Sequence, residues 1–338
     1  MVQNAVESKP VKEKIKIDLS VIVPCYNEAK VIHLLQARLL EALGGLTCGW
    51  EVILVDDGSR DETLAMLAGM AAADPRFKVL SFSRNFGHQA AVCAGLDAAG
   101  GQAVGVIDAD LQDPPEILLQ CWRQITQGAD VAYAVRRKRK EALWKRMCYK
   151  LFYRVLHALS DVVIPVDSGD FCVMSRRVVE AIKDLPERNL FMRGMRAWVG
   201  FKQVAVEYER PARAAGETKY SFRRLIRLAS DGLFSFSVVP LRLATYAGLL
   251  AVAFSLLYAV FTMVWRIAGF HFMGHMARDL PGWATLITGM LFLHGIELLI
   301  LGIIGEYIGR LYTETKQRPR YILQARIGFA APQPPKDH

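Results

Sequence analysis

Two carboxylates, Asp108 and Asp110, stand two residues apart directly after an apolar run, and their types and spacing suit cation binding. In extended backbone, side chains at alternate positions project to the same side, so both can address one cation. The run 103–107 has the pattern of a buried strand, and Pro114 and Pro115 mark a helix start behind the acids. Acids at a helix N-terminus need no ligand, so this stretch alone leaves both interpretations open.

The elements around these carboxylates alternate between strand and helix patterns. The predicted elements are strands over 19–23, 52–55, 78–82 and 103–107, and helices over 28–43, 61–73 and 89–98. Such alternation predicts an α/β fold with a mainly parallel sheet and right-handed crossovers. Three polar clusters then fall at the carboxyl ends of strands, on one edge of the sheet: Pro24-Cys25-Tyr26-Asn27-Glu28, Asp56-Asp57-Gly58-Ser59 and Asp108-Ala109-Asp110.

Carboxylates grouped at one sheet edge repel one another unless they bind hydrogen-bond donors or a cation. A nucleoside diphosphate supplies both, because its base and ribose donate hydrogen bonds and its phosphates carry a divalent metal. The chain has neither a GxxxxGK[ST] phosphate loop nor a GxGxxG fingerprint. We therefore predict a nucleotide site of the carboxylate-and-metal type.

Two long apolar runs follow the α/β pattern. Leu243 to Trp265 has no charged residue, and Trp283 to Gly305 has one, Glu297. Crossing a bilayer core takes about 20 apolar residues. Two buried helices of a soluble protein are the alternative, but little chain after Arg310 remains to cover them. The pattern predicts two membrane spans.

The net charge of +9 is concentrated beside these spans. By the positive-inside tendency, this placement predicts that the α/β region and both termini are cytoplasmic and that the chain contacts anionic membrane lipids. No basic module typical of nucleic-acid binding is present, so nucleic acid is not an expected partner. No secretory signal is visible, and six scattered cysteines indicate free thiols. The flanking basic residues are Arg223, Arg224, Arg227, Arg242, Arg310, Lys316, Arg318 and Arg320.

Two basic amphipathic segments, 141–159 and 220–237, are typical of helices that lie on a membrane surface; packing on the flank of the sheet is the alternative. Small residues recur every fourth position in the first span, and Gly305 and Gly309 close the second. This spacing permits close helix contact, which predicts a tight hairpin or a homo-oligomer without choosing between them.

Four motifs in this order resemble the family 2 glycosyltransferases of the GT-A fold. With the two spans, the resemblance narrows to the polyprenyl-phosphate glycosyltransferases, which include bactoprenol glucosyltransferases and, more distantly, dolichol-phosphate mannose synthases. It covers roughly 19–321. The motifs are Pro24-x-Tyr26-Asn27-Glu28, Val55-Asp56-Asp57-Gly58-Ser59, Asp108-Ala109-Asp110-Leu111-Gln112-Asp113-Pro114-Pro115-Glu116 and Gly169-Asp170-Phe171.

The resemblance implies a Rossmann-like GT-A catalytic domain, interfacial helices and a transmembrane hairpin in the bacterial inner membrane. The implied domain bounds are a polar tail over 1–18, a catalytic domain over 19–218, a second interfacial helix and linker over 219–241, membrane helices 243–265 and 283–305 within 242–310, and a cytoplasmic tail over 311–338.

The resemblance also implies an enzyme that inverts the sugar carbon while transferring one sugar from a nucleotide sugar to undecaprenyl phosphate. UDP-glucose is the expected donor, with a UDP-amino sugar, UDP-modified arabinose and GDP-mannose as alternatives. Asp110 and Gln112 would hold Mg²⁺ or Mn²⁺, and Asp170 would be the catalytic base. The residues implied to bind the nucleotide are Pro24, Tyr26, Glu28, Asp56 and Asp108. Asp57 and Asp113 have plainer interpretations, as caps of the following turn and helix.

The acceptor chemistry makes a base less necessary. A phosphate monoester has its second pKa near ~6, so at neutral pH it is already an anionic nucleophile. The harder task is to bring two anions together, which requires basic side chains. We expect Arg136, Arg213 and Lys219 to bind the acceptor phosphate, and Asp170 to position the acceptor or its cationic partners.

Two other function classes fit less well. A processive polysaccharide synthase would carry Gln-x-x-Arg-Trp, but the segment Met195-Arg196-Ala197-Trp198 lacks the Gln. A non-catalytic sensor or sugar-lipid translocase would not need the complete carboxylate set.

Overall fold

The computed structural model describes residues 17–136, 168–187, 191–208, 239–268 and 282–329. Its elements are β1 Leu19–Cys25, α1 Ile32–Gly44, β2 Trp50–Asp56, α2 Thr63–Ala73, β3 Phe77–Phe82, α3 His88–Ala98, β4 Ala103–Val106, α4 Glu116–Thr126, β5 Val131–Arg136, β6 Ser168–Ser175, α5 Arg176–Lys183, α6 Met192–Trp198, β7 Gln203–Tyr208, α7 Val239–Ala268, α8 Gly282–Thr315 and β8 Leu323–Ile327.

The strands form one eight-stranded sheet in the order β7-β5-β6-β4-β1-β2-β3-β8. β1 pairs in parallel with β2 and β4, β2 with β3, and β5 with β7. β6 runs antiparallel between β4 and β5, and β8 is antiparallel to β3. The predicted α/β class with a mainly parallel sheet is confirmed. The carboxyl ends of β1, β2, β3 and β4 and the amino end of β6 share one edge.

Helices cover both faces of the sheet because strand side chains alternate between two cores. Leu19, Val21 and Val23 of β1 pack with α1, α2 and α4, whereas Ile22 packs with α3, α5 and α6. On that second face, a Cβ added at Gly95 of α3 would lie 2.3 Å from Cγ2 of Ile22. Glycine therefore lets α3 approach β1 closely. The five cysteines in the described residues are free, as predicted.

The observed helices begin close to the predicted positions, with one clear difference. α1 begins at Ile32 instead of residue 28. The preceding loop is held open because Glu28 N–H donates to Thr63 Oγ1 at 2.9 Å and Ala29 N–H donates to Asp61 Oδ2 at 3.3 Å. Side chains of the neighbouring loop take backbone donors that an extra helical turn would otherwise use.

α7 and α8 contain the two apolar runs. Residues 241–265 and 292–315 are long and apolar enough to cross a membrane, and most of their described side chains are exposed. α8 includes all of the predicted span 283–305, while its apolar segment extends further towards the C-terminus. The predicted interfacial helices, 141–159 and most of 219–241, lie outside the described residues.

Part of the tail predicted over 311–338 forms regular secondary structure. α8 continues to Thr315, and Leu323 to Ile327 form β8 at the edge of the sheet, with Ile327 opposite Val79. β8 therefore connects the apolar helices back to the α/β domain.

A buried polar cluster at the amino ends of the strands gives a stability test. Glu51 is buried, accepts hydrogen bonds from Ser20 Oγ at 2.6 Å and Gly100 N–H at 2.8 Å, and pairs with Lys78 Nζ. We expect Glu51→Ala to lower the free energy of unfolding by about 2–4 kcal/mol, because it leaves these donors and a half-buried ammonium without their partner. The melting temperature in detergent should fall by several degrees or more.

Glu180→Ala is the matched control, since Glu180 pairs with Arg176 on an exposed helix face. It should change stability by less than about 1 kcal/mol. Equal melting temperatures for the two variants would contradict the importance assigned to the buried cluster.

Candidate active site

The loops that follow β1 and β2 are tied together by hydrogen bonds. Asn27 N–H donates to Ser59 Oγ at 3.0 Å, and Asn27 Oδ1 accepts Arg60 N–H at 2.8 Å. Asn27 has φ +54°, a left-handed conformation that Asn tolerates well. The tie fixes its two neighbours at the sheet edge: Tyr26, which is 41% exposed, and Glu28. Pro24, the residue before the last one of β1, is buried just ahead of this loop.

Asp56, the last residue of β2, is buried and held by two hydrogen bonds. Its Oδ1 accepts Ser59 N–H at 3.1 Å, and its Oδ2 accepts the Ser81 hydroxyl at 3.0 Å. These bonds orient the carboxylate towards the space between the ends of β2 and β3.

Asp57 has a structural role, in a different place from the predicted cap. Its carboxylate accepts Phe86 N–H at 2.7 Å, Gly87 N–H at 3.0 Å and Asn85 Nδ2 at 2.9 Å. It therefore holds the loop after β3, which leads into α3, instead of the turn that follows β2. Burial raises the pKa of Asp57, with the charge of Asp56 adding to the shift, although the two backbone N–H groups oppose it.

A pocket of about 300 Å³ opens between the ends of β2 and β3. Close approach of two loops forms part of its wall: Gly58 has φ +66°, and a Cβ there would lie 2.5 Å from the Arg84 carbonyl carbon. Only glycine permits this contact. The polar residues that line the pocket are Asp56, Ser59, Arg60, Ser81, Ser83, Arg84, Asn85 and Gln324.

His88, the first residue of α3, connects the two later carboxylates. Its Nε2 lies 3.0 Å from Asp108 Oδ1, and its Nδ1 lies 4.0 Å from Asp170 Oδ2. Burial lowers the pKa of His88, but the hydrogen bond and charge of Asp108, with the charge of Asp170, outweigh burial and raise it overall. The two carboxylates thus stabilise the protonated form of the imidazole.

Asp170 lies at the amino end of β6 and is paired with a cation. Its side chain is 13% exposed, and Arg193 Nε donates to its Oδ1 at 2.9 Å. Gln89 Nε2 donates to Oδ2 at 3.3 Å. Burial raises the pKa of this carboxyl, but the charge and hydrogen bond of Arg193, together with the charges of His88 and Arg196, outweigh burial and hold the pKa below its ordinary value. Asp170 is therefore a stable anion and a weak base.

Asp110 and Gln112 lie on the turn between β4 and α4. Asp110 is exposed, and its Oδ1 accepts Gln112 N–H at 3.1 Å. Leu111 between them has φ +53°. Within the described residues, no three metal-ligating side chains converge. Mg²⁺ usually binds one or two carboxylates together with substrate phosphates, so this donor set fits a metal that arrives with a diphosphate.

The structure brings most of the predicted nucleotide and metal residues to one edge, but not every predicted role holds. Asp113 is not the N-cap of α4; that position is Pro115, and Asp113 accepts a hydrogen bond from the buried Tyr208 hydroxyl. Arg136 is the last residue of β5, and its side chain is not described. Arg213 and Lys219 lie outside the described residues.

Several site residues were missed by the sequence interpretation: Arg84, Asn85, His88, Gln89 and Arg193. The first four follow β3, where Ser83-Arg84-Asn85 is a fourth polar cluster at the carboxyl end of a parallel strand. The same rule, that polar residues at the carboxyl ends of parallel strands gather at one edge of the sheet, would have predicted this cluster. Arg193 has no such signal, because only tertiary folding brings α6 to Asp170.

Comparison with known proteins identifies relatives over most of the chain. Residues 20–183 match the model of glycosyl transferase family 2, and residues 239–311 match the GtrB C-terminal hairpin. An uncharacterized glycosyltransferase of Bacillus subtilis, YkcC, is 46% identical over 93% of this chain and 95% of its own. A prophage bactoprenol glucosyl transferase homolog of Escherichia coli is 40% identical over 90% and 98%, respectively. The bactoprenol glucosyl transferase of Shigella phage SfV is 41% identical over the same shares.

The pairing of Asp170 with Arg193 predicts a pH-dependent stability difference. Arg193→Ala leaves a buried carboxylate without its cation, so at pH 7 it should cost about 2 kcal/mol, or several degrees in melting temperature. The lowered pKa means that the pair stabilises fully above the ordinary value of 3.8 and loses its effect as pH falls through the folded value. The wild-type and variant melting temperatures should therefore approach each other below pH 3.8.

Arg123→Ala, on the exposed face of α4, is the control and should melt like the wild type at each pH. A difference for Arg193→Ala that stayed constant from pH 7 to pH 3 would exclude ionisation of Asp170 as its source.

Proposed function

The chain belongs to the family 2 glycosyltransferases, and we propose that it transfers one sugar from UDP-glucose to undecaprenyl phosphate. The products would be an undecaprenyl-phosphate sugar, inverted at the sugar carbon, and UDP. The reaction would take place at the cytoplasmic face of a bacterial inner membrane.

The observation that carries this proposal is the identity of 40–41% with proteins named bactoprenol glucosyl transferase, over 90% of this chain. That similarity extends through the C-terminal hairpin, residues 239–311. An enzyme that joins a water-soluble donor to a lipid-borne acceptor needs its site held at a membrane surface. The two uncovered apolar helices suit this need.

In this proposal, the nucleotide of the donor lies at the ends of β1, β2 and β4. Asp56 is already oriented by Ser59 and Ser81, so binding costs little further ordering of that carboxylate. The loop that carries Tyr26 is fixed to the β2 loop in the same way. Pro24, Tyr26, Glu28, Asp56 and Asp108 are the residues proposed to contact base and ribose.

Asp110 and Gln112 are proposed to hold Mg²⁺ or Mn²⁺ on the donor diphosphate. When bound, the cation would neutralise charge on the departing nucleoside diphosphate. In the turn at Leu111, the Asp110 carboxylate accepts the backbone N–H of Gln112, which orients that carboxylate.

The acceptor half of the site depends on cations contributed by this chain. An acceptor phosphate oxygen would attack the sugar carbon as the bond to the diphosphate breaks, and it needs no base because the phosphate is already ionised. Asp170, with its pKa lowered by Arg193, is poorly suited to take a proton. We propose that Asp170 positions Arg193 beside the reacting groups, while Arg136, Arg213 and Lys219 bind the phosphate.

The proposed arrangement in the membrane follows from the charge distribution. A catalytic domain over 19–218 would lie on the cytoplasmic side, with interfacial helices at 141–159 and 219–241 holding its site against anionic headgroups. The hairpin over 242–310 would cross the membrane twice and return the C-terminal segment to the same side. Oligomerisation through small residues of the hairpin is part of this proposal.

A transfer assay tests the reaction. Purified protein incubated with radiolabelled UDP-glucose and undecaprenyl phosphate should yield a labelled monosaccharide lipid, and a chelator should abolish it. Long polymer would indicate a processive synthase, and no product with any of UDP-glucose, UDP-amino sugars, UDP-modified arabinose or GDP-mannose would exclude a transferase. The same donors compared at equal concentration identify the sugar.

Asp110→Asn tests the metal assignment. Replacing a ligand carboxylate with an amide should reduce transfer by about 100-fold or more, because the departing diphosphate loses its charge stabilisation. The residual rate should no longer depend on added Mg²⁺ or Mn²⁺.

Asp184→Asn is the matched control, since Asp184 is an exposed residue that follows α5 and is not among the residues proposed to form the site. It should keep wild-type transfer and metal dependence. Metal-stimulated transfer by Asp110→Asn would show that the ligand lies elsewhere.

A further inference from the structure

The pairing between β3 and β8 contains an extra residue beside the pocket. Ser81 lies opposite Ala325, but the next residue, Phe82, lies opposite Leu323. Gln324 is therefore the unpaired residue of a β-bulge on β8. Bulges redirect a side chain out of the regular alternation and are common next to functional sites. Here the redirected side chain is one of those that line the 300 Å³ pocket.

We propose that Gln324 reads the nucleobase of the donor nucleotide. The inference rests on the proposed function, because it assumes that this pocket accepts a uracil nucleotide. A carboxamide offers an N–H donor and a C=O acceptor side by side, and uracil presents a C=O acceptor beside an N–H donor. Gln324 can therefore form two hydrogen bonds with one edge of the base.

The position of Gln324 is fixed from both sides of the bulge. Before it, Ser83 N–H donates to Ile322 O at 3.0 Å, which continues the ladder past the extra residue. After it, Ile327 pairs with Val79. The bulge is thus held in a regular ladder and is not a frayed strand end.

Contacts beyond the ladder hold β8 against the catalytic domain. The ring of Tyr321 stacks on Phe82 with centroids 5.2 Å apart, and its hydroxyl donates to Asp97 Oδ2 at 2.8 Å. Arg320 donates to the Leu185 carbonyl. These contacts join β8 to β3, α3 and the segment after α5, so Gln324 is presented from a rigid support.

The other polar side chains of the pocket are less suited than Gln324 to bind the edge of a base. Asp56 is held by Ser59 and Ser81, and Asn85 is held by Asp57. Arg60 and Arg84 are cations, which suit ribose or phosphate oxygens better than a base edge with both polarities. Gln324 is the carboxamide of the wall that is not committed to holding a loop.

The test measures affinity for UDP and CDP by calorimetry on full-length protein in detergent with Mg²⁺. Gln324→Ala should weaken UDP binding roughly 2- to 10-fold, the value of one or two hydrogen bonds to neutral groups. Gln324→Glu should weaken UDP further, because a carboxylate cannot donate to a uracil carbonyl. It should weaken CDP less, because cytosine has an amino group that donates to a carboxylate. The preference for UDP over CDP should therefore fall in Gln324→Glu.

Gln102→Ala is the matched control, since Gln102 is exposed just before β4, at the opposite end of the sheet. It should bind UDP like the wild type, and all three variants should melt at the wild-type temperature. UDP affinities of Gln324→Ala and Gln324→Glu within twofold of the wild type, or equal losses for UDP and CDP in Gln324→Glu, would overturn the inference.

The transfer assay separates this inference from the proposed function. Wild-type protein that makes the sugar lipid while both Gln324 variants keep their UDP affinity overturns the inference alone. Wild-type protein that binds UDP in a Gln324-dependent way but makes no sugar lipid overturns the proposed reaction and leaves the base-reading role intact.

Discussion

Negative charge gathered at one edge of a parallel sheet is the constraint that shapes this domain. Carboxylates at Asp56, Asp57, Asp108, Asp110 and Asp170 all lie at or beside that edge. Asp56, Asp57, Asp108 and Asp170 each have their own donors, from backbone N–H groups, hydroxyls, a histidine or an arginine. Because these donors come from neighbouring loops, compensating the charge also fixes the loops relative to one another. The most exposed carboxylate, Asp110, is the one best placed to receive a cation from solution.

The same compensation joins two halves of the site that are distant in the chain. His88 stands between Asp108 and Asp170, and Arg193 closes the group from α6. A donor bound near Asp108 and an acceptor bound near Asp170 would therefore both lie beside one electrostatically coupled group of side chains. Removing one member alters the electrostatics of both halves, since the pKa values of His88 and Asp170 depend on each other.

Local sequence patterns predicted the polar clusters proposed to bind the donor, but they did not predict the partner of Asp170 or strand β8. The clusters after β1, β2 and β4 follow strands whose apolar runs are evident in the sequence, and parallel pairing alone brings them together. The partner of Asp170 was not predictable, because Arg193 lies on a short helix with no distinctive pattern. β8 carries a weak signal, the alternation of Leu323, Ala325 and Ile327 with polar residues. A five-residue strand with alternating apolar and polar side chains, placed after a long apolar helix, is easily interpreted as an unstructured tail.

The short connection between α8 and β8 sets how far the catalytic domain can move from the bilayer. Seven residues, 316–322, join them. Because Arg320, Tyr321 and Ile322 are held against the catalytic domain, only 316–319 can extend, and a chain of that length spans about 14 Å. In the proposed membrane arrangement, this short connection keeps the catalytic domain close to the headgroups. A soluble enzyme would have to find its lipid by diffusion in three dimensions, whereas this domain searches a surface. In the proposed arrangement, the short connection between α8 and β8 raises the effective concentration of the lipid acceptor at the site, although the connection itself does not contact the acceptor.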